Sequence, residues 1–271
     1  MLSKRNFQPL TTINPNALKQ IRIVLADIDD TLTTDGRLTA EAYSAMEHLE
    51  DAGIAVAPVT GRSAGWCDHI ARLWPVAGVV GENGALYYSY DRNANSMRRV
   101  YAQDYETRNA NKRRLEAVAE KILVSVPRAS ISADQFTRVF DLAIDICEDV
   151  PALSRTEIAK VVDIFEKAGA IAKVSSIHVN GWFGTHDKLT MTKRFLREIL
   201  STEPGKENDT VAFIGDSPND QPMWAYFNLS IGVANAIQYQ NYLKSPPAYV
   251  TIHKGGRGFA EFTAFLLREG A

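Results

Sequence analysis

Asp27 and Asp29 stand two positions apart, directly after the apolar run of residues 21–26. In an extended segment that spacing puts both side chains on one side, so the two carboxylates have to share a site. Carboxylates about 4 Å apart repel by roughly 4 kcal/mol at an effective dielectric near 20, so the pair calls for a cation or a shifted pKa. Oxygen-only ligands point to Mg²⁺. Such an ion would also hold a phosphate oxygen, setting phosphorus beside one carboxylate as nucleophile while the other serves as acid and then as base. Two more polar clusters follow apolar runs in the same way. Thr60-Gly61-Arg62 comes after residues 54–59, and Gly215-Asp216-Ser217-Pro218-Asn219-Asp220 comes after residues 211–214. Asp216 adds a further carboxylate, and Thr60 and Gly61, at the start of a helix, offer a hydroxyl and unpaired N–H groups of the kind that bind phosphate.

The elements that would position these clusters alternate. Residues 21–26, 54–59 and 78–80 read as strands, with helices over 39–51 and 63–73 between them. The rhythm returns late, with helices over 190–200, 221–227 and 259–268 and strands over 211–214 and 229–233. This is the pattern of a parallel sheet covered by helices, in which ligands bind beyond the carboxyl ends of the strands, so all three clusters converge on one sheet edge. Residues 85–184 break the pattern. A hairpin around residues 91–96, a long polar helix over 106–124, and strand, helix, strand, strand over 139–146, 154–168, 170–174 and 176–179 make an α+β module with its own core. The expected organisation is a leader over 1–20, flexible or at an edge, a sheet domain from 21–84 and 185–271, and an inserted domain over 85–184.

Composition excludes several classes. Thirty Lys plus Arg against 32 Asp plus Glu give a net charge of −2, which leaves no basic field for nucleic acid or anionic lipid. No apolar run approaches the roughly 18 residues needed to cross a bilayer, and the first 20 residues do not read as a signal peptide. Cys67 and Cys147 stand outside any CxxC pair and read as two reduced, buried thiols, which suggests the cytoplasm.

Taken together the three clusters make the chain similar to the haloacid dehalogenase superfamily phosphatases. The insertion, the Gly81-Glu82-Asn83-Gly84-Ala85 turn and the closing Gly255-Gly256-Arg257-Gly258 resemble the Cof-type (IIB) branch with a type-two cap. The string from Gly215 to Met223 is similar to mannosyl-3-phosphoglycerate phosphatases within that branch. The resemblance implies a Rossmann-like α/β core with an α+β cap, and a Mg²⁺-dependent phosphatase that forms an aspartyl-phosphate on Asp27. It implies that Asp29 protonates the leaving oxygen and later activates water. Asp27, the Asp29 backbone carbonyl and Asp216 would ligate the metal, with Asp220 supporting its shell. Thr60, Gly61 and Asn219 would hold phosphate oxygens, and Lys188 matches the family lysine that offsets the carboxylates. Asp30 stands where the family usually has Gly and reads as a turn residue, and Lys188 lacks the Gly that usually follows it.

Other residues keep two readings. Arg62 contacts substrate or phosphate, or is a surface charge; Asn83 binds substrate, or satisfies a turn. Trp182 and Phe183 stack on a sugar, or pack the cap on the core. His178 and His186 read as surface or hinge histidines, and Arg98-Arg99 and Lys112-Arg113-Arg114 as solvated faces. The expected partner is a small phosphorylated metabolite, with a sugar phosphate first, and no nucleic acid or membrane; the oligomeric state is left open. A phosphomutase and a non-catalytic binding protein are the alternative functions.

Overall fold

The computed structural model describes residues 7–203 and 205–270. Its main sheet has six parallel strands in the order Gln8–Pro9, Tyr249–Val250, Leu229–Gly232, Val211–Gly215, Ile23–Ala26, Ala55–Pro58. The three central strands read as continuous apolar runs because both sheet faces are covered. On one face, helices Ala40–Asp51, Ala64–Leu73 and Gly255–Glu269 close a cluster around Val24, Met46, Ile70 and Phe262; on the other, Lys188–Ile199 and Gln221–Tyr226 close one around Leu25, Phe195, Phe213 and Trp224. Ile23 pairs with both Val211 and Ala55, so the ends of the three motif-bearing strands lie side by side. Thus 190 residues of sequence separation collapse into adjacent strands.

Helix starts follow capping chemistry. Thr39 accepts from Ala42 N–H, Asp187 from Thr190 N–H, and Ser154 and Glu157 cap reciprocally. The closing helix starts four residues earlier than its periodicity predicts, at Gly255, whose φ of 52° and close approach to Thr33 require glycine. Sequence reading also missed the two-residue strands Gln8–Pro9 and Tyr249–Val250, which are too short to show alternation. The described part of the leader is no free tail, because Leu10, Ile13 and Leu18 are buried in the core.

The hairpin Leu86–Asp91/Ser96–Tyr101 pairs with Val79–Gly81 and shares the main apolar clusters: Leu86 and Tyr88 in one, Tyr87 in the other. A separate cluster, with Ile122, Ile144, Val161, Phe165 and Val179 at its centre, draws on residues 115–183. Around it stand helices Tyr105–Ser125 and Arg155–Lys167 and an antiparallel sheet in the order Ile171–Val174, His178–Trp182, Leu142–Asp145, Ser130–Ile131. We therefore propose that the inserted unit, or cap, begins at the Tyr105 helix rather than at residue 85. Trp182 and Phe183 are buried packing residues: Trp182 stacks on His186 at 5.5 Å, and the Arg114 guanidinium lies 3.4 Å from the Phe183 ring centroid. His186 is buried as well, not a surface residue, and burial drives its pKa down to about 4. Both cysteines are free, but Cys147 is exposed because it sits in the loop after strand Leu142–Asp145. Among the described residues no helix is long and apolar enough to cross a membrane.

Gly84 and Gly53 both have left-handed backbones, at φ of 93° and 73°, but only Gly84 lies against other backbone, where a Cβ would overlap the Asp187 carbonyl. Gly53→Ala is expected to cost about 1 kcal/mol for the backbone alone. Gly84→Ala adds a steric clash and should cost more than about 3 kcal/mol. Chemical denaturation of both variants checks this, and equal losses contradict the packing of Gly84 on the second cap connection.

Candidate functional site

Residues 27–31 form a turn and not an extended strand, since Thr31, Leu32 and Thr33 N–H groups all return to the Ile28 carbonyl. Strand alternation therefore does not apply there, although Asp27 and Asp29 still wall one slot. Asp27 goes down into the sheet edge, 5% exposed, where its Oδ1 accepts from Lys188 Nζ at 2.7 Å. Lys188 Nζ also donates to Asp220 Oδ1 at 3.0 Å. Asp27, Asp216 and Asp220 each bring an oxygen within 4.8 Å of the others. The carboxylate of Asp29, whose backbone carbonyl is the expected metal ligand, is not in this cluster. It lies in the fork of Arg62, with Nη2 at 2.6 Å and Nε at 3.0 Å from Oδ1. Asp30 takes φ of 60°, the left-handed conformation that its turn reading requires.

One ammonium among three buried carboxylates leaves the cluster short of positive charge. Burial holds Asp27 well above the ordinary carboxylate range; Lys188 opposes that, while Asp220 and Asp29 reinforce it. Asp216 rises for the same first reason, then through Asp27 and Asp220. Burial pulls Lys188 down, but Asp220 and Asp27 outweigh it and keep the ammonium charged. An oxygen-only set that is short of cations fits Mg²⁺. The three members differ in freedom, however. Asp220 is already engaged, with Oδ1 on Lys188 and Oδ2 accepting from Asp216 and Ser217 N–H at 3.1 and 3.3 Å. It shapes the loop that presents Asp216 and keeps Lys188 in place, which leaves Asp27 and Asp216 as the carboxylates available to a cation.

The Thr60-Gly61-Arg62 turn lies beside this cluster. Its three carbonyls are all held from behind: Thr60 O by Asn83 N–H at 3.1 Å, Gly61 O by Arg138 at 2.9 Å, Arg62 O by Glu82 N–H at 3.0 Å. Thr60 Oγ1 accepts from Arg62 N–H, and among the described residues the Gly61 N–H meets no acceptor. Asn83, a candidate substrate ligand, sits behind Gly61 with its Nδ2 buried and unpartnered, at φ of 55°. It does not line the slot above Asp27, and turn geometry explains its type.

That slot is walled by Asp27, Asp29, Gly61, Arg62, Asp216, Ser217 and Asn219 from the core, and by Ser175, Ser176, Ile177, His178 and Asn180 from the cap. Its free volume is about 10 Å³, so it admits no phosphomonoester until the cap segment lifts. Arg62 fastens the closed state. Its Nη1 lies 3.0 Å from Glu148 Oε1 of the cap, and Glu148 Oε2 lies 3.0 Å from His178 Nε2. His178, read as a surface or hinge residue, is thus 2% exposed and lines the slot. Glu148, Asn180 and Arg138 were absent from the sequence reading, because single polar residues on cap loops and strands carry no spacing signal.

With this geometry established, known proteins give the kinship. Residues 24–132 match the family model of haloacid dehalogenase-like hydrolases. The chain is 28% identical over 249 residues to a phosphoglycolate phosphatase of Methanobrevibacter smithii, an alignment covering 89% of this chain and 96% of that one. In fold it is similar to a Thermoplasma acidophilum protein, with a TM-score of 0.69 at 19% identity over 92% of this chain and 99% of the other. A sucrose-phosphatase of Synechocystis gives 0.61 at 16% identity, over 91% and 98%. The carboxylate cluster around Lys188, its place beyond three parallel strands and these likenesses agree in making the chain similar to the haloacid dehalogenase-like hydrolases.

Proposed function

We propose that this enzyme is a Mg²⁺-dependent phosphatase that hydrolyses a small phosphorylated metabolite through an aspartyl-phosphate on Asp27. The observation that carries the reading is Lys188 clamped between Asp27 and Asp220, with Asp216 beside them. Asp27 Oδ1 is held at a fixed angle by Lys188, which leaves Oδ2 to attack phosphorus. The free Gly61 N–H and the Asn219 amide offer donors to the phosphoryl oxygens, and Lys188 offsets their charge. Asp29 would protonate the leaving oxygen and then take a proton from water. Both its oxygens accept from Arg62, so the fork must first release one of them. Mg²⁺ held by Asp27 and Asp216 would neutralise charge developing on the phosphoryl group.

Arg62 favours one substrate class. It is the sole Lys or Arg among the residues walling the slot, and in the closed state it holds the Glu148 carboxylate. A short phosphorylated carboxylic acid could place its own carboxylate where Glu148 lies, in keeping with the phosphoglycolate phosphatase relative. The sugar phosphate reading rests on Ser175, Ser176 and Asn180, whose hydroxyl and amide groups suit a polyol. A mutase would need a second sugar hydroxyl as acceptor in place of water, and a binding protein would keep the cluster without turnover.

Phosphate release measured over a panel of phosphorylated two- and three-carbon acids and phosphosugars decides among these. Release is expected with Mg²⁺ and not with EDTA, with kcat/KM highest on a phosphorylated acid. Asp27→Asn should lower kcat at least about 10⁴-fold. No release from any member of the panel refutes the phosphatase reading, and phosphate migration without release favours a mutase.

The raised carboxylates set a pH dependence. Asp27 and Asp216 keep protons in the fold that they lose when unfolded, so stability falls as pH rises above the ordinary carboxylate range. A cation must displace those protons, so its affinity climbs with pH. The Tm gain from saturating Mg²⁺ is therefore expected to be larger at about pH 8 than at about pH 5. A gain independent of pH contradicts metal binding at these two residues.

A further inference from the structure

The cap reaches the core at a second place, behind the phosphate-binding turn, through a polar network that the proposed chemistry does not use. Its centre is Arg138, whose side chain is fully buried. Arg138 Nη1 donates to the Gly61 carbonyl at 2.9 Å and to Asp141 Oδ1 at 3.0 Å, while Nε and Nη2 bond the two Asp134 oxygens at 2.9 and 3.1 Å. Asp141 Oδ2 in turn accepts from Asn180 Nδ2 at 2.9 Å, and Asn180 walls the slot. A continuous path therefore runs from the turn to the cap strand that faces the substrate.

The path is seated on Glu82. Its carboxylate has no exposure, and it collects N–H groups from both sides of the core–cap junction: Ala64 and Val139 at 2.9 Å on Oε1, Phe140 at 2.7 Å and Asp141 at 3.3 Å on Oε2. Ser63 and Thr137 hydroxyls meet at 2.7 Å, and Thr137 lies where a side chain at Gly65 would have to go. The cap segment 137–141 thus replaces solvent at the start of helix Ala64–Leu73. Buried charges are kept only where they are paired or hydrogen-bonded: Arg138 meets Asp134 and Asp141, and Glu82 meets backbone N–H groups from both units.

Of the three turn carbonyls, those of Thr60 and Arg62 are held by the core's own Asn83 and Glu82 N–H groups. The middle one, Gly61, is held by the cap alone. Its orientation fixes the plane of the Gly61–Arg62 peptide, whose N–H donates to Thr60 Oγ1 at 3.0 Å, and so holds the Thr60 hydroxyl and, through the Gly61 dihedrals, the neighbouring plane that carries the Gly61 N–H. We propose that Arg138 is a positioning residue through which the inserted unit fixes the Gly61 peptide of the phosphate-binding turn, coupling that turn to Asn180 in the substrate wall. This rests on the phosphatase reading of the site. Positioning errors of about 1 Å cost up to about 100-fold in such sites, so a large effect on phosphate affinity follows from a side chain that never touches phosphate.

The test uses inorganic phosphate as probe, through its inhibition constant and by calorimetry, in the presence of Mg²⁺. Arg138→Lys keeps a cation for Asp134 and Asp141 but cannot span the fork, and is expected to weaken phosphate about tenfold, with KM rising in step and kcat falling less. Asn180→Ala should weaken it by a few-fold. Val161→Ala, a cap-core change remote from the network, should lower Tm and leave the phosphate constant unchanged. In the wild-type protein, phosphate should slow hydrogen exchange at residues 138–141, a readout that does not depend on any variant folding. Folded Arg138→Lys with wild-type phosphate affinity, or no added protection at 138–141, overturns the inference alone. No phosphate binding by the wild type overturns it together with the reading of the site.

Discussion

One buried ammonium sets the terms for the site. Three carboxylates within 4.8 Å of one another could not persist at a dry sheet edge without Lys188, which joins Asp27 to Asp220. Lys188 is the first residue of the helix by which the chain returns from the cap, immediately after the capping Asp187. The same turn of chain carries the cation, ends the insertion and presses its carbonyl onto Gly84, just before the core hairpin Leu86–Asp91/Ser96–Tyr101. Charge balance and domain connection are therefore one constraint, and a shift in either moves the other. Removing one partner of such a buried set leaves an unpaired charge, which costs about 3–5 kcal/mol.

The remaining deficit of positive charge is what gives the site its chemistry. Asp220 is spent on Lys188 and on two backbone N–H groups, while Asp27 and Asp216 stay available. Closure is secured by polar contacts: Arg62 to Glu148 across the front, Arg138 to Gly61 behind. The two differ in kind. The Arg62–Glu148 pair sits at the slot, where water and other anions can compete for it. The Arg138 set is sealed and seated on Glu82, which burial, and then Asp141, lift well above the ordinary carboxylate range while Arg138 opposes. A front that exchanges partners and a back that stays paired suit a lid that opens around a fixed pivot.

Much of this was legible in the sequence because it rests on strand ends. Apolar runs placed Asp27, Thr60 and Asp216, and the parallel pattern brought them together. Asp27 and Asp29 wall one slot, but through a turn over residues 27–31 and not through strand alternation, because the strand ends at Ala26. Asn83 has two readings from its place at a strand end, ligand or turn residue, and its left-handed backbone favours the turn. The hairpin Leu86–Asp91/Ser96–Tyr101 was assigned to the insertion on texture, though its apolar residues fill the main core. Glu148 and Arg138 act through pairings across units, and His178 and Asn180 through the cap residues beside them, and such pairings leave no spacing in a single sequence. The cap's contribution to the site therefore became visible only with the fold.

The central claim is that Asp27 takes the phosphoryl group. Acid quenching of the wild-type enzyme during steady turnover of its best phosphorylated substrate, followed by peptide mass mapping, tests it most directly. The account predicts a phosphoryl adduct on the peptide containing Asp27, formed with Mg²⁺ and absent from Asp27→Asn. Turnover with the adduct on another residue, or undiminished turnover by Asp27→Asn, would contradict it.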